Sequence, residues 1–172
     1  MLTIARRLLH ASLITTHSRN LKPGGYIELQ EFSLITSDDG TQTRETYLDQ
    51  VSEVMRKGAE ANKRPFIDVF NDLKPWLDEA GFKGIVEWHD RWPTNPWPRD
   101  PKLKEFARIN HLSLREGLEY FMMAGATRHL GWRPEEVTVL AAHAKRDLAN
   151  RAIHSYVPIN VVYAQKPEKR GA

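Results

Sequence analysis

The sequence predicts an α/β fold. Three observations carry that expectation. Strand-like stretches stand at residues 26–32, 82–92 and 153–165, and helical spacing of three and four fills the intervals between them. The connection between the first two strands is itself helical, which predicts that they run in the same direction. With 172 residues, 41% of them hydrophobic and 27% charged, the chain is long enough and apolar enough for one domain with a core.

The elements follow in order. Leu21-Lys22-Pro23-Gly24-Gly25 reads as a turn, because proline presets φ and glycine accepts positive φ. Tyr26 to Phe32 alternates Tyr26/Glu28/Gln30 against Ile27/Leu29, the period of a strand. Residues 36–43 form a polar loop. A helix is expected over 44–62 on Leu48, Val51, Val54/Met55 and Gly58, and a second over 66–80 that Pro75 kinks or restarts near Asp72. Gly81 ends it. The prolines of Thr94–Pro101 exclude regular structure until Asp100 caps and Pro101 opens a helix toward His129, with a break expected near Ser113. Gly131 stops that helix and Pro134 opens the next. The last strand carries Pro158, so a bulge or a late start to its ladder is expected. Residues from Lys166 onward read as a solvated tail.

Charge and composition exclude several classes. The net charge is +3, yet residues 1–27 hold four basic residues and no acid, and the middle of the chain is acidic. A basic face on the folded body is therefore not expected, and neither is nucleic acid as a partner. No apolar run approaches the ~20 residues that span a bilayer, so no membrane association is expected. The absence of cysteine removes thiolate zinc sites, iron–sulfur clusters and cysteine nucleophiles. His89, His111, His129, His143 and His154 show no metal-ligand spacing, so no metal is expected. Residues 1–20 are Arg-containing, rich in Ser and Thr, and acid-free, with Leu2, Ala5, Leu8, Leu9 and Leu13 on one helical stripe. A mitochondrial transit peptide, an ordinary amphipathic helix and a segment foreign to the rest of the chain are three open readings.

The segment LKPGGYIELQE, followed by a helix ending LDEAGF and then a strand, resembles the late turn-and-strand element of class I S-adenosylmethionine-dependent methyltransferases. WPRDPKLKEFARIN, LGWRPEEV and RDLANRAIHSYVPINVVYAQKP narrow the resemblance to fungal methyltransferases similar to regulators of secondary metabolism. It covers about residues 21–167, leaving 1–20 as a non-family segment and 168–172 as a tail. The resemblance implies the C-terminal half of a Rossmann-like sheet, about three strands, with a helical insertion at about 100–150. It also implies strand order first–third–second, with the last strand antiparallel between the other two.

In that family the cofactor, S-adenosylmethionine, is held by a Gly-rich loop after an early strand and by an acidic residue on the next strand. No Gly-x-Gly occurs in this sequence, and Gly24-Gly25 precedes a strand. The expectation is a truncated form lacking the cofactor-binding half, which does not bind the cofactor alone. The implied partner is a small-molecule or protein methyl acceptor. Candidate pocket residues are Glu28 and Glu31 at the end of the first strand, Trp97 between two prolines, and Asn110 and His111 in the insertion. Self-association through an open strand edge bearing Ile27 and Leu29 is also expected. A non-catalytic module that uses the helical insertion for binding, and a mitochondrially targeted small protein, are the alternatives. The expected location is cytoplasmic or nuclear, or mitochondrial if residues 1–20 are a transit peptide.

Overall fold

The computed structural model describes residues 14–63 and 69–168. The elements are β1 (Tyr26–Phe32), α1 (Tyr47–Ala61), α2 (Val69–Glu79), β2 (Lys83–Pro93), α3 (Pro101–His129), α4 (Pro134–Ala149) and β3 (Tyr156–Gln165). A further helical stretch occupies residues 14–20. The stripe of Leu2, Ala5, Leu8, Leu9 and Leu13 lies outside the described residues. The strands form one sheet in the order β1-β3-β2. β3 is antiparallel to its neighbours, so β1 and β2 share a direction without touching. The helical crossover predicted that shared direction, and β3 occupies the place between them.

The chain divides into two compact units. The first comprises, among described residues, 14–32, 69–90 and 159–168. Ile27 and Leu29 of β1 pair with Ala164 and Val162 of β3, and this face meets Leu73, Trp76 and Leu77 of α2, with Phe82 and Ile14. Fully burying a side chain such as Leu77 or Phe82 contributes about 1.5–3 kcal/mol. Ile27 is only 6% exposed, which corrects the expectation that it marks an open apolar edge. The exposed apolar residues lie elsewhere, at Tyr26, Phe32, Val86, Trp88 and Tyr163. Lys166 is not a solvated tail residue. Its Nζ donates to the carbonyls of Ser18 and Leu21, at 2.6 and 2.7 Å, closing the end of the 14–20 helical stretch.

The second unit comprises residues 33–63 and 91–158 among those described. Its core joins Leu48, Val51 and Val54 of α1 with Leu118, Met122 and Ala126 of α3 and Val137, Leu140, Ala144 and Leu148 of α4. The start of α1 is closed twice. Thr46 accepts from the Asp49 amide, and Asp147 of α4 accepts from the Tyr47 and Leu48 amides. Gly58 of α1 crosses Gly125 of α3 backbone to backbone: a Cβ placed on Gly58 would stand 2.9 Å from the Gly125 Cα.

The break expected near Ser113 is absent, and so is a restart of α2 near Asp72. α3 runs unbroken through Ser113, whose hydroxyl donates to the Ile109 carbonyl one turn back. α2 contains Pro75 within its 69–79 span, with no restart near Asp72. The interruption at Pro158 does occur. The β1–β3 ladder runs from Tyr26↔Gln165 to Phe32↔Ile159. A separate bridge then pairs Thr36 with Tyr156, one residue out of phase. Pro158 has no amide to donate, but its carbonyl still accepts from Ser33.

Candidate functional site

The site is built within the second unit. The loop after β2 is pinned by buried polar groups. Thr94 donates its amide to the Ser155 carbonyl at 3.0 Å, and its hydroxyl shares a 2.5 Å hydrogen bond with the Ser155 hydroxyl. Asn95 donates through Nδ2 to the Asn150 and Ile153 carbonyls, each at 3.2 Å. Thr94, Asn95 and Ser155 are wholly buried, so these bonds hold the loop in a water-free setting. The Trp97 indole Nε1 donates to the same Ser155 carbonyl at 2.9 Å, which fixes the plane of the ring.

Asn110 and His111 serve this loop from α3. Asn110 Nδ2 donates to the Pro93 carbonyl at 2.9 Å. His111 Nδ1 lies 3.1 Å from the Thr94 carbonyl, and since a carbonyl only accepts, that nitrogen carries the proton. The two residues position the backbone beside Trp97 and are not in the pocket wall.

The wall is formed by Asp38, Asp39, Arg91, Pro93, Trp97, Pro98, Leu103, His154 and Tyr156, around a cavity of about 280 Å³. Trp97 and His154 face each other with ring centroids 5.0 Å apart. Arg91 pairs with Asp38 and lies over the Tyr156 ring, 5.1 Å from its centroid. The Tyr156 hydroxyl donates to Asp38, and burial followed by this hydrogen bond pushes the phenol above its ordinary value. His154 Nδ1 lies 2.6 Å from Asp39 Oδ2. The Thr41 hydroxyl, then His154, holds the Asp39 carboxyl at about 2, against an ordinary 3.8.

That shift predicts a pH dependence. The folded-state value lies below the unfolded one, so the stabilisation is complete above about pH 4 and is lost as pH falls toward 2. An NMR titration of the Asp39 carboxyl should give a midpoint near 2, and Thr41→Val should raise it. An ordinary midpoint in the unmodified chain would show that the Thr41–Asp39–His154 bonds do not hold in solution.

Glu28 and Glu31 belong to the first unit and are exposed. They point to opposite faces of β1, as residues three apart on a strand must. Glu28 accepts from Gln30, and Glu31 is paired in register with Asn160. They do not converge on a common point. Among the described residues no cluster of His, Asp or Glu has the makings of a metal site.

Gly24-Gly25 does not offer S-adenosylmethionine a cradle. The Gly24 amide donates to the Lys166 carbonyl and the Gly25 amide to the Lys22 carbonyl. The Gly24 and Gly25 carbonyls accept from Gln165 and Lys166. Gly24 has φ +78°, and a Cβ there would meet Glu168 Oε1 at 3.1 Å. The glycines thus serve a tight turn against the end of β3, and their amides are not presented to a ligand.

A three-stranded sheet whose last strand lies antiparallel between the first two, with helices on the connections, is the partial Rossmann-like α/β arrangement that the sequence led one to expect. Sequence comparison then gives what the chain is similar to: over most of its length it resembles fungal methyltransferases. It is 34% identical over 168 residues to the probable methyltransferase tdiE of Emericella nidulans, covering 97% of this chain and 53% of that protein. It is 28% identical over 148 residues to the secondary metabolism regulator laeA of Aspergillus fumigatus, covering 86% of this chain and 40% of the relative. The chain thus spans about half the length of the curated relatives it matches. No family model matches. Among solved structures, a Haemonchus contortus N-methyltransferase bound to phosphomonomethylethanolamine and S-adenosylhomocysteine aligns at a TM-score of 0.44 and 16% identity, covering 92% of this chain and 30% of that one.

Proposed function

We propose that this chain supplies the methyl-acceptor side of an S-adenosylmethionine-dependent methyltransferase and that residues 1–172 do not hold the cofactor alone. The acceptor site is the pocket walled by Trp97, His154 and Tyr156. One observation carries this reading: fixed aromatic rings and a hydrogen-bonded His–Asp pair converge on a single cavity. Apolar walls with a few placed polar groups suit a small organic ligand. In such a site the chain's contribution is alignment of the acceptor and exclusion of water. Two larger depressions, of about 460 and 560 Å³, fit less well. The second is edged by Arg44, Asp49, Glu53 and Arg56, and Glu53 and Arg56 already neutralise each other.

The test is a graft. Residues 21–167, placed in the Emericella nidulans relative in exchange for its matching segment, should leave S-adenosylhomocysteine affinity as in the parent. The graft should methylate members of a panel of hydroxyl-, amine- and thioether-bearing fragments. Trp97→Ala in the graft should reduce that methylation about tenfold or more without changing S-adenosylhomocysteine affinity. Equal loss of both, or a lower melting temperature alone, would mark Trp97 as a packing residue.

The reading includes a second copy of the chain as a partner. β1 is an edge strand, and the sheet face opposite its core carries Tyr26, Phe32, Val86, Trp88 and Tyr163, each 36–62% exposed. An open edge beside an apolar face favours association. Light scattering of the purified chain should report dimers or larger species, and Phe32→Lys with Trp88→Lys should shift it to monomer. A monomer at millimolar concentration in the unmodified chain would remove this part of the proposal.

A favourable observation also exists for a non-catalytic binding role. Ile109, Leu112 and Tyr120 of α3 are 62%, 60% and 80% exposed, an apolar stripe on the outside of the longest helix. A graft that binds S-adenosylhomocysteine but methylates nothing in the panel would favour it.

A further inference from the structure

The pocket chemistry narrows the acceptor further, and this step rests on the acceptor-site reading above. We infer that the Trp97–His154–Tyr156 pocket takes a planar aromatic ring bearing a hydrogen-bond donor, a phenolic hydroxyl or a ring N–H, and that it rejects anionic ligands. Three features of the wall lead there.

The first is shape. Trp97 cannot rotate away, because its Nε1 is bonded to the Ser155 carbonyl and the flanking Pro96 and Pro98 restrict the backbone. His154 is tied to Asp39 through its ring and to Thr41 through its amide, at 2.6 and 2.8 Å. Two rings held in place 5.0 Å apart, with Pro93, Pro98 and Leu103 completing the wall, give flat apolar surfaces. Flat surfaces favour planar ligands, which lose little conformational freedom on binding. A cavity of about 280 Å³ has room for one or two fused rings and little more.

The second is the sense of the hydrogen bonding. Asp39 is ionised at neutral pH and therefore only accepts, so His154 Nδ1 donates to it. In the neutral ring this leaves Nε2 as an acceptor. Apart from the Arg91 guanidinium, which is paired with Asp38, the donors in and beside the wall are spent internally. The Tyr156 hydroxyl is committed to Asp38, the Trp97 N–H to Ser155 and the Thr41 hydroxyl to Asp39. A ligand that donates thus finds a partner, while one that only accepts meets no donor but Arg91, which is already paired with Asp38.

The third is charge. Asp38 and Asp39 face the cavity with a single guanidinium, Arg91, which is paired with Asp38 and seated over Tyr156. The two carboxylates outnumber the one guanidinium. A carboxylate or phosphate would enter against two carboxylates and draw on a cation already paired.

The probes are 2-naphthol, 2-methoxynaphthalene and 2-naphthoate, each titrated into the full 172-residue chain at pH 7.5 and followed by the Trp97 indole N–H and His154 ring resonances. 2-Naphthol should perturb both saturably and bind about tenfold more tightly than 2-methoxynaphthalene, which lacks the donor, or 2-naphthoate. His154→Phe keeps a ring opposite Trp97 and removes the acceptor, so 2-methoxynaphthalene binding should persist while the naphthol preference falls to within twofold. Melting curves identify any variant that fails to fold, and Asp39→Asn then provides the second test of the preference. Equal or tighter binding of 2-naphthoate overturns the inference, as does a naphthol preference that survives His154→Phe. Failure of every naphthyl probe to perturb either ring also overturns it. In that event N-acetylmethionine amide, a flexible thioether, decides the wider reading. If it perturbs Trp97 and His154, the pocket stands with a different acceptor class. If it does not, the acceptor-site reading falls too.

Discussion

Calorimetric titration of the purified 172-residue chain with S-adenosylhomocysteine is expected to give no saturable isotherm in the micromolar range. The ligand carries an amino acid, a ribose and an adenine, and each needs its own polar anchors. A Gly-rich loop offers amides, an acidic strand end takes the ribose hydroxyls, and an apolar slot takes the base. The one Gly-Gly pair here has its amides bonded to the Lys166 and Lys22 carbonyls, so presenting them would break the turn that joins β1 to the end of β3. Losing several anchors at ~0.5–1.5 kcal/mol each, and more for charged groups, weakens binding by orders of magnitude. What remains would also have to be ordered on binding, a further loss. A one-to-one isotherm with a micromolar dissociation constant would show that another part of the chain forms a cradle, and a catalytic assignment for the chain alone would follow. S-adenosylmethionine itself serves as the second ligand, since its sulfonium charge separates a carboxylate-lined site from none.

Gly58→Val is expected to destabilise the chain by about 2–3 kcal/mol, or roughly 5–10 °C in melting temperature. The reason is contact between main chains. A Cβ on Gly58 would stand 2.9 Å from the Gly125 Cα and 3.0 Å from its carbonyl carbon, and neither atom can swing aside as a side chain would. α1 and α3 would have to separate, loosening Val54 and Met122 in the core they share. The reciprocal change behaves differently. A Cβ on Gly125 finds the Gly58 Cα at 3.5 Å, an ordinary contact. Gly125→Ala should therefore be neutral or stabilising by up to ~1 kcal/mol, through helix propensity. Thermal denaturation of both variants checks the pair, and equal destabilisation would show that the crossing is not so asymmetric. The periodicity of α1 placed Gly58 on the inner face, but not what it met there, because Gly125 lies on another helix 67 residues on.

The strands, the four long helices and their stops were legible because each has a local cause: alternation, spacing, capping by Asp100, glycine at 81 and 131. The pocket was not. Trp97 was conspicuous between its prolines, yet the other walls come from a polar loop at 38–39, the end of β2 at Arg91 and the approach to β3 at 154–156. None of these residues is unusual where it stands in the sequence, and only the tertiary fold joins them. Asn110 and His111 were candidates for the pocket, but polar side chains on a helix beside irregular backbone often bond carbonyls, and that is where both are engaged. Glu28 and Glu31 carried a warning in the sequence itself. A strand's two-residue period sends positions three apart to opposite sides, so the two carboxylates face away from each other.

The Asp147 carboxylate that closes the start of α1 sits 100 residues from the Tyr47 amide it accepts from. A helix whose first turn is completed by so distant a residue gains that contact only after α4 has docked. The α3–α4 pair, joined by a short loop at 130–133, closes with little loss of chain entropy and should form early. α1 then matures against it. In refolding experiments, Asp147→Ala should chiefly accelerate unfolding and leave the folding rate nearly unchanged, while Leu118→Ala and Leu140→Ala slow folding. On that account the order of assembly runs against the order of synthesis, with the earlier helix waiting for the later ones before its first turn is secure.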